Sequence, residues 1–177
     1  MTAEHEAGAA AGMVVGFVGL GHMGIPMSRR LVAAGYHVRG FDTSADARRA
    51  FAEISGDGSP VSGGGVTAVD ELAAVGDGAD AVILMLPDSD VVERVVLGRL
   101  AAETAGGTGG EAGGLLAALP AGSTVIDMSS SDPARTQVLA ELVASAGSFH
   151  SVQDCACRFA LRFPSRPRLR QDLLIAT

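Results

Sequence analysis

An α/β fold built on a doubly wound parallel sheet is predicted by three observations in these 177 residues. Apolar runs of strand length alternate with stretches of helical period. Glycine, proline or a Ser/Thr/Asp residue marks nearly every change of period. Two runs, within "DAVILMLP" and "STVIDMSS", are apolar at successive positions, as strands covered on both faces are.

The elements follow in order. "MVVGFVG" (13–19) reads as the first strand. "IPMSRRLVAAG" (25–35) is a helix with Pro26 in its first turn, Gly35 as its stop, and Met27, Leu31 and Ala34 along one face. "YHVRGFD" (36–42) is the second strand and ends in Asp42; "TSADARRAFAEIS" (43–55) opens on a Ser or Thr cap and is rich in helix formers. A loop (55–65), a short strand "VTAV" and a short helix "DELAAVG" lead to the buried strand at 80–87, which "DSDVVERVVLG" follows as a helix. "AAETAGGTGGEAGG" (101–114) has the composition of a surface loop. After the strand at 123–130, "DPARTQVLAELVASAG" starts with Pro133 in its first turn and stops at Gly147; Val138, Leu139, Leu142 and Val143 are expected on its buried face.

Composition limits the chemistry. With 47% apolar and 19% charged residues the chain can bury a core, and its length suits one domain. A net charge of −7 argues against nucleic acid as the partner, and no apolar stretch is long enough to span a bilayer, so a cytoplasmic protein is expected. The charge is uneven: residues 1–150 hold 8 Arg against 18 acidic residues, residues 151–177 hold 5 Arg against 2 Asp. All thirteen basic residues are arginine, and there is no lysine. Cys155 and Cys157 are too close for an easy disulfide and too few for a zinc site; no metal site is expected, and none of His5, His22 and His37 has a partner at metal or triad spacing. Residues 1–12 read as a flexible leader, 13–149 as the folded domain, and 150–177 as a divergent tail in which the strand and helix alternation is lost.

"GFVGLGHMG" places Gly19, Gly21 and Gly24 at G-x-G-x-x-G spacing between a strand and a helix. In that setting the first glycine allows a tight turn, the second lets backbone approach a pyrophosphate, and the third lets helix pack on strand, while the helix N-terminus faces the anion. Asp42 closes the next strand, where a carboxylate accepts hydrogen bonds from both adenosine ribose hydroxyls and repels a 2′-phosphate. A Rossmann-type site for NAD is therefore expected, with NADP kept as the alternative because the direction of Arg39 is open.

The blocks "FVGLGHMGIPMS", "RRLVAAGYHVRGFD", "ILMLPDSDVVERVVLG" and "VIDMSSSDPARTQVLAELVASAG" together resemble the 3-hydroxyisobutyrate dehydrogenase family, the short β-hydroxyacid dehydrogenases related to 6-phosphogluconate dehydrogenase. The resemblance runs from residue 13 to about 149. It implies pyrophosphate contacts along Gly19, Leu20, Gly21, His22, Met23 and Gly24, ribose contact at Asp42, and nicotinamide-side contacts from Leu86, Pro87 and Ser130. Arg30 stands where the family usually has Asn.

The resemblance also implies machinery that these residues do not contain. The family takes the proton of a 3-hydroxy acid with a lysine from a glycine-rich helix beyond the cofactor domain, aided by an asparagine, and holds the substrate carboxylate with a Ser-Gly-Gly turn. Here "HSVQDCACR" stands where that turn would follow, and no lysine is present, so no catalytic residue is assigned. The expectation is the cofactor domain of a dehydrogenase without its helical second domain. Such a chain is inactive alone, meets a 3-hydroxy acid only if a substrate domain is supplied, and tends to self-associate through the face turned toward that domain. The tail is either a frameshifted or mis-spliced reading or a native cap. The alternative function is a non-catalytic dinucleotide sensor or regulatory module.

Overall fold

The computed structural model describes residues 13–56, 64–98, 114–147 and 149–152. The leader, most of the loop at 55–65, nearly all of the Gly/Ala-rich stretch at 101–114, and the tail from residue 153 with both cysteines lie outside the described residues.

Six strands form one parallel sheet: β1 (Val14–Val18), β2 (His37–Phe41), β3 (Gly65–Ala68), β4 (Ala81–Leu84), β5 (Thr124–Asp127) and β6 (Phe149–Val152). Their order across the sheet is β3-β2-β1-β4-β5-β6. The chain moves outward from β1 through β2 to β3, then crosses back to place β4 on the other side of β1. That reversal between β1 and β4 is the switch point at which open α/β sheets bind ligands, beyond the carboxyl ends of the strands.

The helices are α1 (Gly24–Ala33), α2 (Ala45–Ala52, continued by a 3-10 turn to Gly56), α3 (Leu72–Gly76), α4 (Ser89–Leu97), α5 (Leu115–Ala118) and α6 (Pro133–Ser145). Strand alternation sorts the core into two layers. Val15 and Phe17 of β1, Val38 of β2 and Ala81 and Ile83 of β4 pack with Leu31 and Val32 of α1 and Phe51 of α2. Val18, Val82, Leu84 and Val125 pack on the other face with Val75 of α3, Val92 and Val96 of α4, Leu115 of α5, and Leu139 and Val143 of α6. Where a helix or ring comes close, glycine replaces the side chain. A Cβ at Gly16 would lie 2.6 Å from a methyl of Val75, and one at Gly40 2.6 Å from the Phe51 ring.

Local signals explain the element boundaries. Ser44, Asp88 and Asp132 each accept a backbone N–H in the first turn of α2, α4 and α6. Gly35, Gly98 and Gly147 end α1, α4 and α6 with positive φ, a conformation that a Cβ would strain.

Two helix faces differ from the sequence expectation. On α1 the buried set is Gly24, Ser28, Leu31 and Val32, whereas Ala34 is exposed. On α6, Thr136, Leu139 and Val143 are buried, but Val138 and Leu142 are 53% and 40% exposed. In both cases several apolar residues were available for one stripe, and docking on the sheet selected a narrower arc than composition suggested. Two elements carried no sequence signal. The four-residue α5 is too short for a period to register, and β6 stands at the point where the sequence loses its alternation of strand and helix.

Ser28 is fully buried, and its hydroxyl has no hydrogen-bond partner among the described residues. An unpaired buried hydroxyl costs about 1–3 kcal/mol, so Ser28→Ala is expected to raise stability by about 1 kcal/mol in urea unfolding. A loss of stability would mean that the hydroxyl is bonded in solution.

Candidate functional site

The carboxyl ends of β1, β2, β4 and β5 converge on the switch point, and each strand's ladder is extended by one further hydrogen bond. Gly19 N–H donates to the Phe41 carbonyl at 3.0 Å, Met85 N–H to Val18 at 2.9 Å, and Met128 N–H to Leu84 at 2.9 Å. The turns that follow are therefore held in register with the sheet.

The glycine turn is built by two overlaps that only hydrogen tolerates. Gly19 has a φ of +98°, and a Cβ there would overlap the Met85 carbonyl oxygen. A Cβ on Gly24 would overlap the carbonyl oxygen of Gly19. Gly21 is different: it is exposed, and a Cβ would meet nothing within 4 Å. Its lack of a side chain keeps a space open that the packing of the chain does not require. Leu20 is buried beneath the turn; His22 is exposed, and Met23 is 57% exposed at the mouth.

Among the described helices of eight residues or more, α1 alone begins without a side-chain cap. Met23 occupies the cap position, and the first turn carries no acidic residue. Ile25 N–H donates to the Gly21 carbonyl at 3.3 Å and Pro26 has no N–H, so what this helix start offers an external anion is chiefly the positive end of its dipole, beside the open space at Gly21.

Asp42 is half-buried at the end of β2 and ties the turn to the next loop. Oδ2 accepts from Leu20 N–H at 2.8 Å, and Oδ1 accepts from Ser44 N–H at 2.8 Å. A carboxylate has about four acceptor positions, so this geometry retains capacity for ribose hydroxyls. Nearby cations are already engaged. Arg39 reaches Asp77, in the loop before β4 at the opposite edge of the sheet, through both its carbonyl and its carboxylate. Arg48 donates to the Asp42 carbonyl at 2.6 Å and the Thr43 carbonyl at 3.3 Å, and meets Asp70 at 3.2 Å. Sequence reasoning missed Arg48, because a helix arginine gives no local sign that it folds back over the preceding strand end.

On the other side of the switch point, Leu86 is half-buried, and Pro87 and Ser130 are exposed. Leu86 N–H donates to Ser129 Oγ at 2.9 Å, which joins the loop after β4 to the loop after β5. Asp127, 1% exposed, accepts from Ser129 N–H at 2.9 Å and from Ser131 Oγ at 3.0 Å. The Asp127–Ser129–Ser131 connection was also missed, although Asp followed at short spacing by serines is the composition of side-chain-supported turns. Behind it, Arg135 of α6 bonds Asp90 at 2.6 Å and Glu93 at 2.8 Å on α4. Hydrogen bonding to Glu93 first and Asp90 second raises the guanidinium pKa above its ordinary value.

The structure thus brings Gly19 through Gly24, Asp42, Leu86, Pro87 and Ser130 to one edge of the sheet. Among the described residues there is no group of His, Cys, Asp and Glu able to hold a metal ion, and no helix long and apolar enough to cross a membrane.

Fold and site define a dinucleotide-binding α/β domain with the 3-2-1-4-5-6 strand order. The family model for the NAD binding domain of 6-phosphogluconate dehydrogenase matches residues 14–153, and the chain belongs to that family. It is similar to mitochondrial 3-hydroxyisobutyrate dehydrogenase of Homo sapiens, with 34% identity over 134 residues, covering 76% of this chain and 33% of that protein. It is also similar to 2-(hydroxymethyl)glutarate dehydrogenase of Eubacterium barkeri, with 30% identity over 133 residues, covering 75% of this chain and 36% of that protein. The solved structure of Mycobacterium tuberculosis 3-hydroxyisobutyrate dehydrogenase with L-serine superposes with a TM-score of 0.62 at 29% identity, over 79% of this chain and 39% of that one. The chain spans about a third of the length of these curated relatives.

Proposed function

We propose that residues 13–149 are the cofactor half of a 3-hydroxyisobutyrate dehydrogenase-like oxidoreductase, and that this half holds NAD in preference to NADP. The observation that carries the reading is the uncapped start of α1 beside Gly21, whose missing side chain leaves open space at the sheet's switch point. The preference rests on Asp42 at the end of β2, with Arg39 turned away to Asp77 and Arg48 held by two carbonyls and Asp70. A 2′-phosphate would meet a carboxylate there and no uncommitted guanidinium from these two residues.

In this reading the Gly19–Gly24 turn binds the pyrophosphate, Asp42 orients the adenosine ribose, and Leu86, Pro87 and Ser130 border the nicotinamide. The bound dinucleotide supplies the hydride acceptor. The 177 residues contain no lysine, so the lysine base of the resembled family is not among them. These residues by themselves are therefore expected to bind cofactor without turning over a 3-hydroxy acid.

Fluorescence titration of the chain with NADH and NADPH in parallel tests the proposal. Saturable binding that favours NADH is expected, with no absorbance growth at the NADH band when NAD and 3-hydroxyisobutyrate are added. Failure to bind either dinucleotide would overturn the reading; tighter NADPH binding would overturn the preference. Val138 and Leu142, exposed one turn apart on α6, support the further reading that the chain self-associates. Light scattering should show mass rising with concentration, and a constant monomer mass would refute it.

A further inference from the structure

We infer that Asp127 is the positioning residue of the nicotinamide end of the site, acting through the serines on either side of Ser130. The inference rests on the dinucleotide reading above and goes beyond it by assigning a role to a carboxylate that no ligand would touch. Asp127 is the last residue of β5 and is paired with Leu84 of β4. It is 1% exposed, so its environment is set by the protein.

Its two oxygens divide the work. Oδ1 accepts from Ser129 N–H at 2.9 Å, and Oδ2 accepts from Ser131 Oγ at 3.0 Å. Ser131 N–H also donates to the Ser129 carbonyl at 3.0 Å, which closes a tight turn. Ser130 lies at the tip of that turn, exposed, and no protein group among the described residues engages its hydroxyl. The residues before and after it are therefore anchored to one buried carboxylate, and the tip is presented outward. The same anchor reaches the neighbouring loop. Ser129 Oγ accepts Leu86 N–H at 2.9 Å, the first amide beyond the Met85-to-Val18 bond that continues the β1–β4 ladder. Asp127 thus sets Ser130 and, through Ser129, the backbone of Leu86 and Pro87. None of its bonds reaches the glycine turn or Asp42, which serve the other half of the dinucleotide.

That division supplies the test. The full chain and its variants are titrated with NADH, which fills both halves, and with ADP-ribose, which lacks the nicotinamide. Asp127→Ala is expected to weaken NADH about tenfold or more, the equivalent of losing one or two charge-assisted hydrogen bonds, and to change ADP-ribose affinity by less than about twofold. Asp127→Asn should recover most of the NADH affinity. Its amide oxygen can still accept Ser129 N–H, and its NH2 can donate to a rotated Ser131 hydroxyl. Ser131→Ala removes one anchor without touching the β5 backbone. It should weaken NADH about threefold with ADP-ribose unchanged, which keeps the test decisive if Asp127→Ala does not fold.

Equal weakening of both ligands in the folded variants would reduce Asp127 to a general stabiliser and overturn the inference. So would NADH affinity unchanged in Asp127→Ala. If the unmodified chain binds ADP-ribose and NADH equally tightly, the nicotinamide end contributes nothing and the inference fails while the dinucleotide reading stands. If it binds neither, the dinucleotide reading fails and takes this one with it.

Discussion

Gly21→Ala is expected to leave the fold intact and remove cofactor binding. The three glycines of the turn have the same sequence status but different physical duties. At Gly19 and Gly24 a methyl group would overlap backbone carbonyl oxygens, of Met85 and of Gly19, and backbone cannot swing aside as a side chain can. Alanine at Gly24 is therefore expected to cost about 3 kcal/mol or more, and at Gly19 the positive φ adds to the strain. At Gly21 nothing lies within 4 Å of the added carbon, and the residue is exposed. Its substitution should shift unfolding by no more than about 0.5 kcal/mol. The space that the methyl group takes is the space through which a pyrophosphate would approach the start of α1. A loss of about 100-fold in NADH affinity, or about 2.7 kcal/mol, is expected. Urea unfolding and NADH titration of the two variants separate the duties: Gly24→Ala fails the first, Gly21→Ala only the second. NADH binding undiminished in Gly21→Ala would remove the main support for the cofactor site.

Asp42→Ala is expected to act on both binding and stability, and to alter the choice of cofactor. The carboxylate accepts Leu20 and Ser44 N–H at 2.8 Å each, so its loss strips both backbone donors of their acceptor. Because the carboxylate is half-buried and water can partly replace it, a stability loss of about 1–2 kcal/mol is expected. NADH affinity should fall about ten- to a hundred-fold as the ribose hydroxyls lose their acceptor and the glycine turn loses its tether. NADPH should lose less, because the charge that repels its 2′-phosphate is gone. The ratio of the two Kd values is the informative quantity, since loosening of the turn affects both cofactors and cancels. A ratio unchanged from the parent would show that Asp42 only shapes the turn.

Much of this molecule is legible in its sequence. The helices that begin at Ser44, Asp88 and Asp132 were readable because each cap is a bond between a residue and its neighbours two or three places on. Gly35 and Gly147 were readable as stops for the same local reason. The strand at 80–87 announced burial on both faces by its unbroken apolar run, and the glycine spacing with Asp42 indicated the site.

Other features were hidden because their causes lie across the fold. Nothing within α6 says that Val138 and Leu142 face outward while Thr136 faces in; the angle at which the helix meets the sheet decides it. Arg39 can be placed near a phosphate from the sequence alone, whereas Arg48 gives no local sign of its role. One is committed to Asp77, 38 positions along the chain, and the other to Asp70, 22 positions along. Leu86 and Ser129 are 43 positions apart and become bonded only when β4 and β5 lie side by side. The sequence by itself determined the alternation of strand and helix, the ends of most elements and the chemical type of the turn, since these depend on bonds and sterics spanning a few residues. The tertiary structure alone decided which glycine leaves open space, which arginines are already engaged and which carboxylate braces the loops, because those follow from contacts that exist only once distant strands are neighbours.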